Sequence, residues 1–239
     1  MAYVQTVQVK DESGGIKKLS LNISERYRST SGTVEKITDI YSGEHYIRKT
    51  CDAKKVGKFW YLALLSSPHP YRTNENAFRT AFYSIKTLAL LSEGISGRRM
   101  VADAKYVGWD SEKRAFVLYT EYVNGRGPRP DRPHEMKNMM ENMKRMQSLL
   151  YETGFIGAMW QSDPGWGNLG VGTSNFLITE DGSTVMVDMQ SGVPACTGYG
   201  KKDDYFPQFD DVKVKRLKEF VEKNKAKIQE RLGDEGVRK

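Results

Sequence analysis

The chain has 239 residues, with 37 Lys and Arg against 30 Asp and Glu for a formal charge of +7, and an isoelectric point of about 9.2. That length suits one sizeable domain or two small lobes that bury a core without staples. Two cysteines, Cys51 and Cys196, with no secretory segment ahead of them, read as reduced thiols of a cytoplasmic protein and exclude a disulfide-framed fold. The longest apolar run, Phe59 to Leu65, is too short for a membrane span, and His45, His69 and His134 lie apart, without the ligand spacing of a zinc site. The positive field favours anions: nucleotides, nucleic acid, acidic lipid headgroups or phosphorylated sugars.

Residues 1 to about 50 alternate apolar and polar side chains, the period of half-buried antiparallel strands. Ser13-Gly14-Gly15 and Tyr41-Ser42-Gly43-Glu44 supply turns, and the second separates Thr33–Tyr41 from His45–Thr50 as a hairpin. From Asn74 to Leu91 the period changes. Ala77, Phe78, Ala81, Phe82, Ile85, Leu88 and Ala89 share one helical face, and Gly94 is read as the stop. Residues 102 to 123 return to strand character before the Gly- and Pro-rich break that begins at Asn124, which marks a lobe boundary.

Asp131 and Pro133 then predict a helix start, with Met136, Met139, Met140, Met143, Met146, Leu149 and Leu150 as its apolar stripe. Methionine-lined faces serve as adaptable binding surfaces, but this spacing reads first as a helix buried along one side. A Gly- and Trp-rich loop from Asp163 to Ser174 leads to a second hairpin, Phe176–Thr179 and Val185–Asp188, turning at Glu180-Asp181-Gly182. A last helix, from about Asp210 to Leu232, carries a thin stripe through Val214, Leu217, Val221, Ile228 and Leu232 among many lysines.

P-loop, nucleophile-elbow and His-Glu-x-x-His signatures are absent. Three segments carry chemistry instead. Gly32 and Val34 close a turn-rich stretch begun at Ser29, and Lys49 follows fifteen residues after the valine. The strand Phe116–Val123 ends in Glu121-Tyr122-Val123. The second hairpin places Asn175 before its first strand and Asp188 after its second, so both side chains emerge at one end, where two hard oxygen donors suit Mg²⁺.

In order and spacing these segments resemble the protein-kinase-like superfamily, which takes in eukaryotic-like protein kinases, aminoglycoside phosphotransferases and lipopolysaccharide core kinases, over residues 27 to 192. The resemblance implies an α+β bilobal fold: an upper, nucleotide-binding lobe (1–123) with an antiparallel sheet plus one long helix, and a reduced, mostly helical lower lobe (124–239). It implies a Mg-ATP-dependent phosphotransferase. Gly32 and Val34 would cover the nucleotide, Lys49 would hold its phosphates, the main chain from Glu121 to Val123 would meet adenine, and Asn175 and Asp188 would hold the metal.

The chain departs from the family pattern in several places. Tyr27 and Ser29 replace two loop glycines, Met189 and Gln190 follow Asp188, and Gly170 stands where the catalytic aspartate belongs. Asp163, five residues before Asn168, is the substitute base; a register using Asn168 as metal ligand, Gln161 as base, or no base at all are the alternatives. Ser84 occupies the position of the helix glutamate that pairs with the lysine, leaving Glu75, Glu93 or no residue as its helix partner. Only 51 residues follow Asp188, too few for a peptide platform, which points to a small-molecule, lipid or carbohydrate acceptor or one specialised protein.

The basic last helix suits contact with anionic lipid or lipopolysaccharide at a membrane periphery, though a solvated face over a short core stripe is the plainer reading. Two other functions fit the composition. One is a catalytically impaired pseudokinase acting as a binding module. The other is a basic nucleic-acid-binding protein, disfavoured because the tryptophans and tyrosines are not interleaved with a basic stripe in one segment.

Overall fold

Along β1 (Val4–Lys10) Gln5, Val7 and Val9 are buried and the residues between them exposed, so this strand lays one face on a core and the other in water. A computed structural model describes residues 4–11, 13, 15–27, 32–51, 75–111, 115–153, 173–187 and 211–237. β1 is followed by β2 (Ile16–Tyr27), β3 (Gly32–Asp39), β4 (His45–Cys51), β5 (Ala104–Asp110) and β6 (Ala115–Glu121). All pair antiparallel in the order β1-β2-β3-β4-β6-β5, and a β1–β5 pairing closes the sheet into a barrel.

β2 makes closure possible. Its first half pairs with β1 and its second with β3, and a register shift between Ile23 and Glu25 bends the strand where it passes from one partner to the other. The β3–β4 turn needs Gly43, whose φ of 71° is costly for any residue with a side chain. At the closing seam Gly108 is required for a different reason. A Cβ there would stand 2.8 Å from the main-chain oxygen of Gln8, so only glycine lets β1 and β5 approach.

Val7, Val9, Leu19, Leu21, Ile37, Tyr46, Val117 and Tyr119 fill the barrel. One end of it is ionic. Arg48, fully buried, donates from Nε and Nη2 to Glu35 Oε2 at 2.9 and 2.6 Å and from Nη1 to Gln5 Oε1 at 2.6 Å, and its Nη1 lies 3.5 Å from Asp110 Oδ2. Gln5 in turn donates to Asp110 Oδ1 at 3.1 Å, while Arg26, reaching in from solvent, binds Glu35 Oε1 at 3.1 Å. Two cations thus meet two carboxylates. Burial pushes the neighbouring Tyr119 phenol up to about 12, with the Arg48 cation pulling the other way.

This architecture corrects the bilobal protein-kinase-like expectation. In place of an upper lobe of antiparallel sheet plus one long helix, the sheet is a closed six-strand barrel, and α1 (Glu75–Ser96) is divided at residues 83 and 84 between two compact units. The physical reason is β1. Residues 4–10 pair along the whole of one edge with β2 and then capture β5 with the other, and closure removes the free edges that an open sheet would leave exposed.

The second unit contains α1 from Ser84 onward, α2 (Pro133–Thr153), the hairpin of β7 (Phe176–Ile178) and β8 (Thr184–Met186), and α3 (Asp211–Val237) from Lys213. Residues 100–102 flank β8 through Ala102 N–H to Met186 O at 2.8 Å and Met186 N–H to Met100 O at 2.9 Å, while Arg126 and Ile178 exchange bonds on the other side. On α2, Met139, Met143, Met146 and Leu149 are buried, so the methionine stripe is a core face. Asn142, also buried, donates to the Thr184 and Met100 carbonyls. Gly94 of α1 leaves no room for a Cβ beside Val221 of α3, and Gln229 donates to the Ile95 carbonyl. No described helix is long and apolar enough to cross a membrane.

Candidate functional site

Register decides which face of the barrel each polar strand residue occupies, because directly paired residues project to the same side. Glu35, Arg48 and Tyr119 are opposite one another and point inward. One residue along, Tyr27, Val34, Lys49, Leu118 and Val107 form the next row, on the outer face. Val34 and Lys49 are half-buried, and Leu118 and Val107 are buried. An ammonium group flanked by aliphatic side chains can offer its charge to a phosphate and its neighbours to a flat ring.

Gly32 opens β3 opposite Cys51; the rest of the turn-rich stretch, residues 28–31, lies outside the described residues. In the next outer row Lys36 sits 4.1 Å from the centroid of the Tyr122 ring and 3.5 Å from Glu25 Oε1. That second lysine is thereby engaged in a cation–π contact and an ion pair.

Glu121 ends β6. Its N–H bonds the Asp103 carbonyl at 2.9 Å, its carboxylate accepts the Asp103 N–H at 2.9 Å, and the Tyr122 N–H bonds the His45 carbonyl at 3.3 Å. Val123 is buried with Ala102 and Val185. Of the two glutamates considered as partners for Lys49, Glu93 is exposed and pairs with Arg99 at 3.5 Å, and the Glu75 side chain lies outside the described residues.

In the second unit Asn175 ends a 3₁₀ turn (Thr173–Asn175) and leads into β7. Its carbonyl accepts the Val187 N–H at 2.8 Å, extending the β7–β8 register by one pair and bringing Asn175 beside the residue that precedes Asp188. Asp188 and Asp163 themselves lie outside the described residues, as do Asn168 and Gln161. Among the described residues no group of three or more His, Cys, Asp or Glu side chains is disposed to hold a metal ion.

The second unit also holds an arginine cluster with no motif in the sequence. Glu135, in the first turn of α2, accepts a bidentate pair from Arg126 at 2.6 and 2.9 Å, the Arg129 N–H at 2.9 Å and Arg132 at 3.3 Å. Glu135, Arg126 and Arg132, with Asn138, Glu180 and His134, line a cavity of about 520 Å³. The Arg126 fork, helped by the Arg129 N–H and Arg132, holds the Glu135 carboxyl down to about 2 from its ordinary 4.5.

A carboxyl depressed in the folded chain stabilises it above its unfolded value, and that stability is lost as pH falls toward the folded one. Wild-type protein is therefore expected to lose melting temperature as pH drops from about 4.5 toward about 2 at this cluster. Glu135→Gln is expected to start lower at neutral pH and show a flatter profile across that window, read by thermal denaturation at a series of pH values.

Neither a family model nor a curated protein sequence matches the chain. The functional reading therefore rests on its own residues.

Proposed function

We propose that the chain is a Mg-ATP-dependent phosphotransferase that moves the γ-phosphoryl group to an acceptor hydroxyl. The observation that carries this reading is the Val34–Lys49–Leu118 row, a lysine held half-buried between aliphatic residues on three paired strands. Lys49 acts as a point charge on the nucleotide phosphates, Gly32 keeps the preceding turn close to them, Val34 packs on the base, and the main chain from Glu121 to Val123 meets the adenine edge through groups other than the Glu121 and Tyr122 N–H, which bond the Asp103 and His45 carbonyls.

Asn175 and Asp188 supply hard oxygen donors for magnesium, which keeps its waters and takes the rest of its ligands from phosphate. Asp163 orients or deprotonates the acceptor. Phosphoryl transfer depends chiefly on positioning and charge stabilisation, and function resides in such sites rather than in a fold type. The acceptor is a small molecule, a lipid or carbohydrate, or one specialised protein. Exposed Lys215, Lys218, Lys223, Lys225 and Lys227 on α3 suit an acceptor presented at an anionic surface.

Thermal unfolding with saturating Mg-ATP tests the reading. Ligand at a hundred times its dissociation constant stabilises by about 2.7 kcal/mol, an upward shift of about 5–10 °C for a chain of this size. The shift is expected to need magnesium and to be lost in Asp188→Ala, and ADP release with a hydroxyl acceptor is expected from wild type but not from Asp188→Asn. No shift in any protein would overturn nucleotide binding, and a shift without ADP release would overturn transfer.

A further inference from the structure

The barrel closes over a short span only. β1 and β5 pair at Val9 with Gly108 and at Lys10 with Val107. Toward Thr6 and Ser111 the two strands are joined on the inside by the Gln5–Asp110 side-chain bond of 3.1 Å. On the outside this seam forms a concavity of about 620 Å³ lined by Thr6, Gln8, Lys10, Ile16, Trp109 and Ser111, among others.

Its walls are unusual for an outer barrel face. Trp109 is 49% exposed and Ile16 68%, an aromatic ring and an apolar side chain beside the outward residues of β1. Ile16 is opposite Lys10 in register and Lys18 opposite Gln8, whereas Lys17, opposite the buried Val9, is on the inward phase with its Nζ 5.5 Å from the centroid of the Tyr106 ring. Lys10 and Lys18, on the outward phase, are both exposed. None of the described lining residues carries a carboxylate. Of the carboxylates next to the seam in sequence, Asp110 is inside the barrel with Gln5 and Arg48 and Asp11 caps the β1–β2 turn by accepting from Ser13 and Gly15, while Glu12 and Glu112 lie outside the described residues.

We infer that this seam binds single-stranded nucleic acid, with a base stacked on Trp109 and the flanking phosphates held by Lys10 and Lys18. A flat aromatic wall, an apolar edge from Ile16, hydrogen-bonding groups from Thr6, Gln8 and Ser111, and a rim of lysines are what sequence-tolerant single-strand binding combines. The base must be unpaired to enter a slot of this size. A membrane surface is the poorer fit, because interfacial anchors protrude whereas this ring lines a hollow. The basic and aromatic residues come from three strands, which is why no single segment of the sequence shows them interleaved.

The test is fluorescence anisotropy of labelled oligo-dT with the full chain, across a series of salt concentrations. A stacked base contributes about 1–3 kcal/mol, so Trp109→Ala is expected to weaken binding between about 5- and 150-fold, and Trp109→Phe to retain most of the affinity. Replacing both exposed lysines, Lys10→Gln with Lys18→Gln, is expected to reduce the slope of log affinity against log salt by about 1.4, at about 0.7 per phosphate contact. Lys49→Met keeps wild-type oligo-dT affinity, so failure of the nucleotide reading and failure of this one are distinguishable.

Three outcomes overturn the inference: oligo-dT that does not bind wild type, oligo-dT that binds folded Trp109→Ala as well as wild type, or an unchanged salt slope in the double lysine variant, which decides the matter even where Trp109→Ala does not fold. Phosphatidylserine vesicles serve as the competing probe. Trp109-dependent vesicle binding without oligo-dT binding would assign the patch to a membrane surface instead.

Discussion

Arg48→Ala is expected to destabilise the barrel by about 3–5 kcal/mol, the cost of leaving buried charge without its partner, which lowers the melting temperature by about 6–20 °C for a chain of this size. The cation is fully buried and joins four strands: its own β4, β3 through Glu35, β1 through Gln5 and β5 through Asp110. Its loss strands Glu35 and Asp110 together in the barrel end. Arg26 stays on the far oxygen of Glu35, but its side chain is 71% exposed and screened by water. Arg26→Ala alone is accordingly expected to cost no more than about 1 kcal/mol. The triple variant Arg48→Met, Glu35→Leu, Asp110→Asn removes the buried charges at similar volume and is expected to recover most of the loss. Urea titrations of the three proteins, compared at unchanged m-value, separate these outcomes.

The same network shows where the sequence was legible. Alternation marks residues 1–50 and 102–123 as strand-forming without dividing β1 from β2 or β5 from β6, and the 3.6 period places α1, α2 and α3 within a few residues of their ends. Gly43 and Gly182, with φ of 71° and 80°, stand at the turns where hairpins are predicted. Pairing across the barrel was not legible. A period of two says that a strand has two faces, but not which strand will lie beside it. Gln5, Glu35, Arg48 and Asp110 occupy inward positions with polar side chains, so in the sequence they mimic solvent-facing residues. They become satisfied only when β1, β3, β4 and β5 are brought together. The kinase-like resemblance began at residue 27, so β1 and most of β2, the elements that close the barrel, lay outside it.

Site residues divide in the same way. Val34 and Lys49 fall opposite one another because a tight hairpin fixes their register, and Asn175 reaches Val187 for the same reason. Both are local consequences of turn position. Arg48 and Lys49 are adjacent and both basic, yet one is sealed in the barrel and the other is on its outer face, a distinction set by strand phase. The seam residues Lys10, Ile16 and Trp109 are distant in sequence. Ile16 gave the one local signal, an apolar residue on the polar phase of β2.

That phase difference makes Lys49→Met the sharpest probe of the proposed activity. The substitution keeps the aliphatic stem and removes the ammonium group, and the unliganded melting temperature, measured beside activity, separates a loss of fold from a loss of transfer. Phosphoryl transfer is expected to fall by about 10²–10³, the scale set by removing one preorganised charge-stabilising donor. If the lysine contacts the phosphates equally in ground and transition states, the loss falls on KM for ATP; if its contact tightens as charge moves to the leaving group, it falls on kcat. The second is expected, since positioning and charge stabilisation supply most of this chemistry. Lys49→Arg keeps the charge but spreads it over a planar fork, and is expected to retain ATP binding while recovering only part of kcat. A Lys49→Met chain with wild-type kcat and KM would leave Lys49 and the Val34–Leu118 row without a role in transfer.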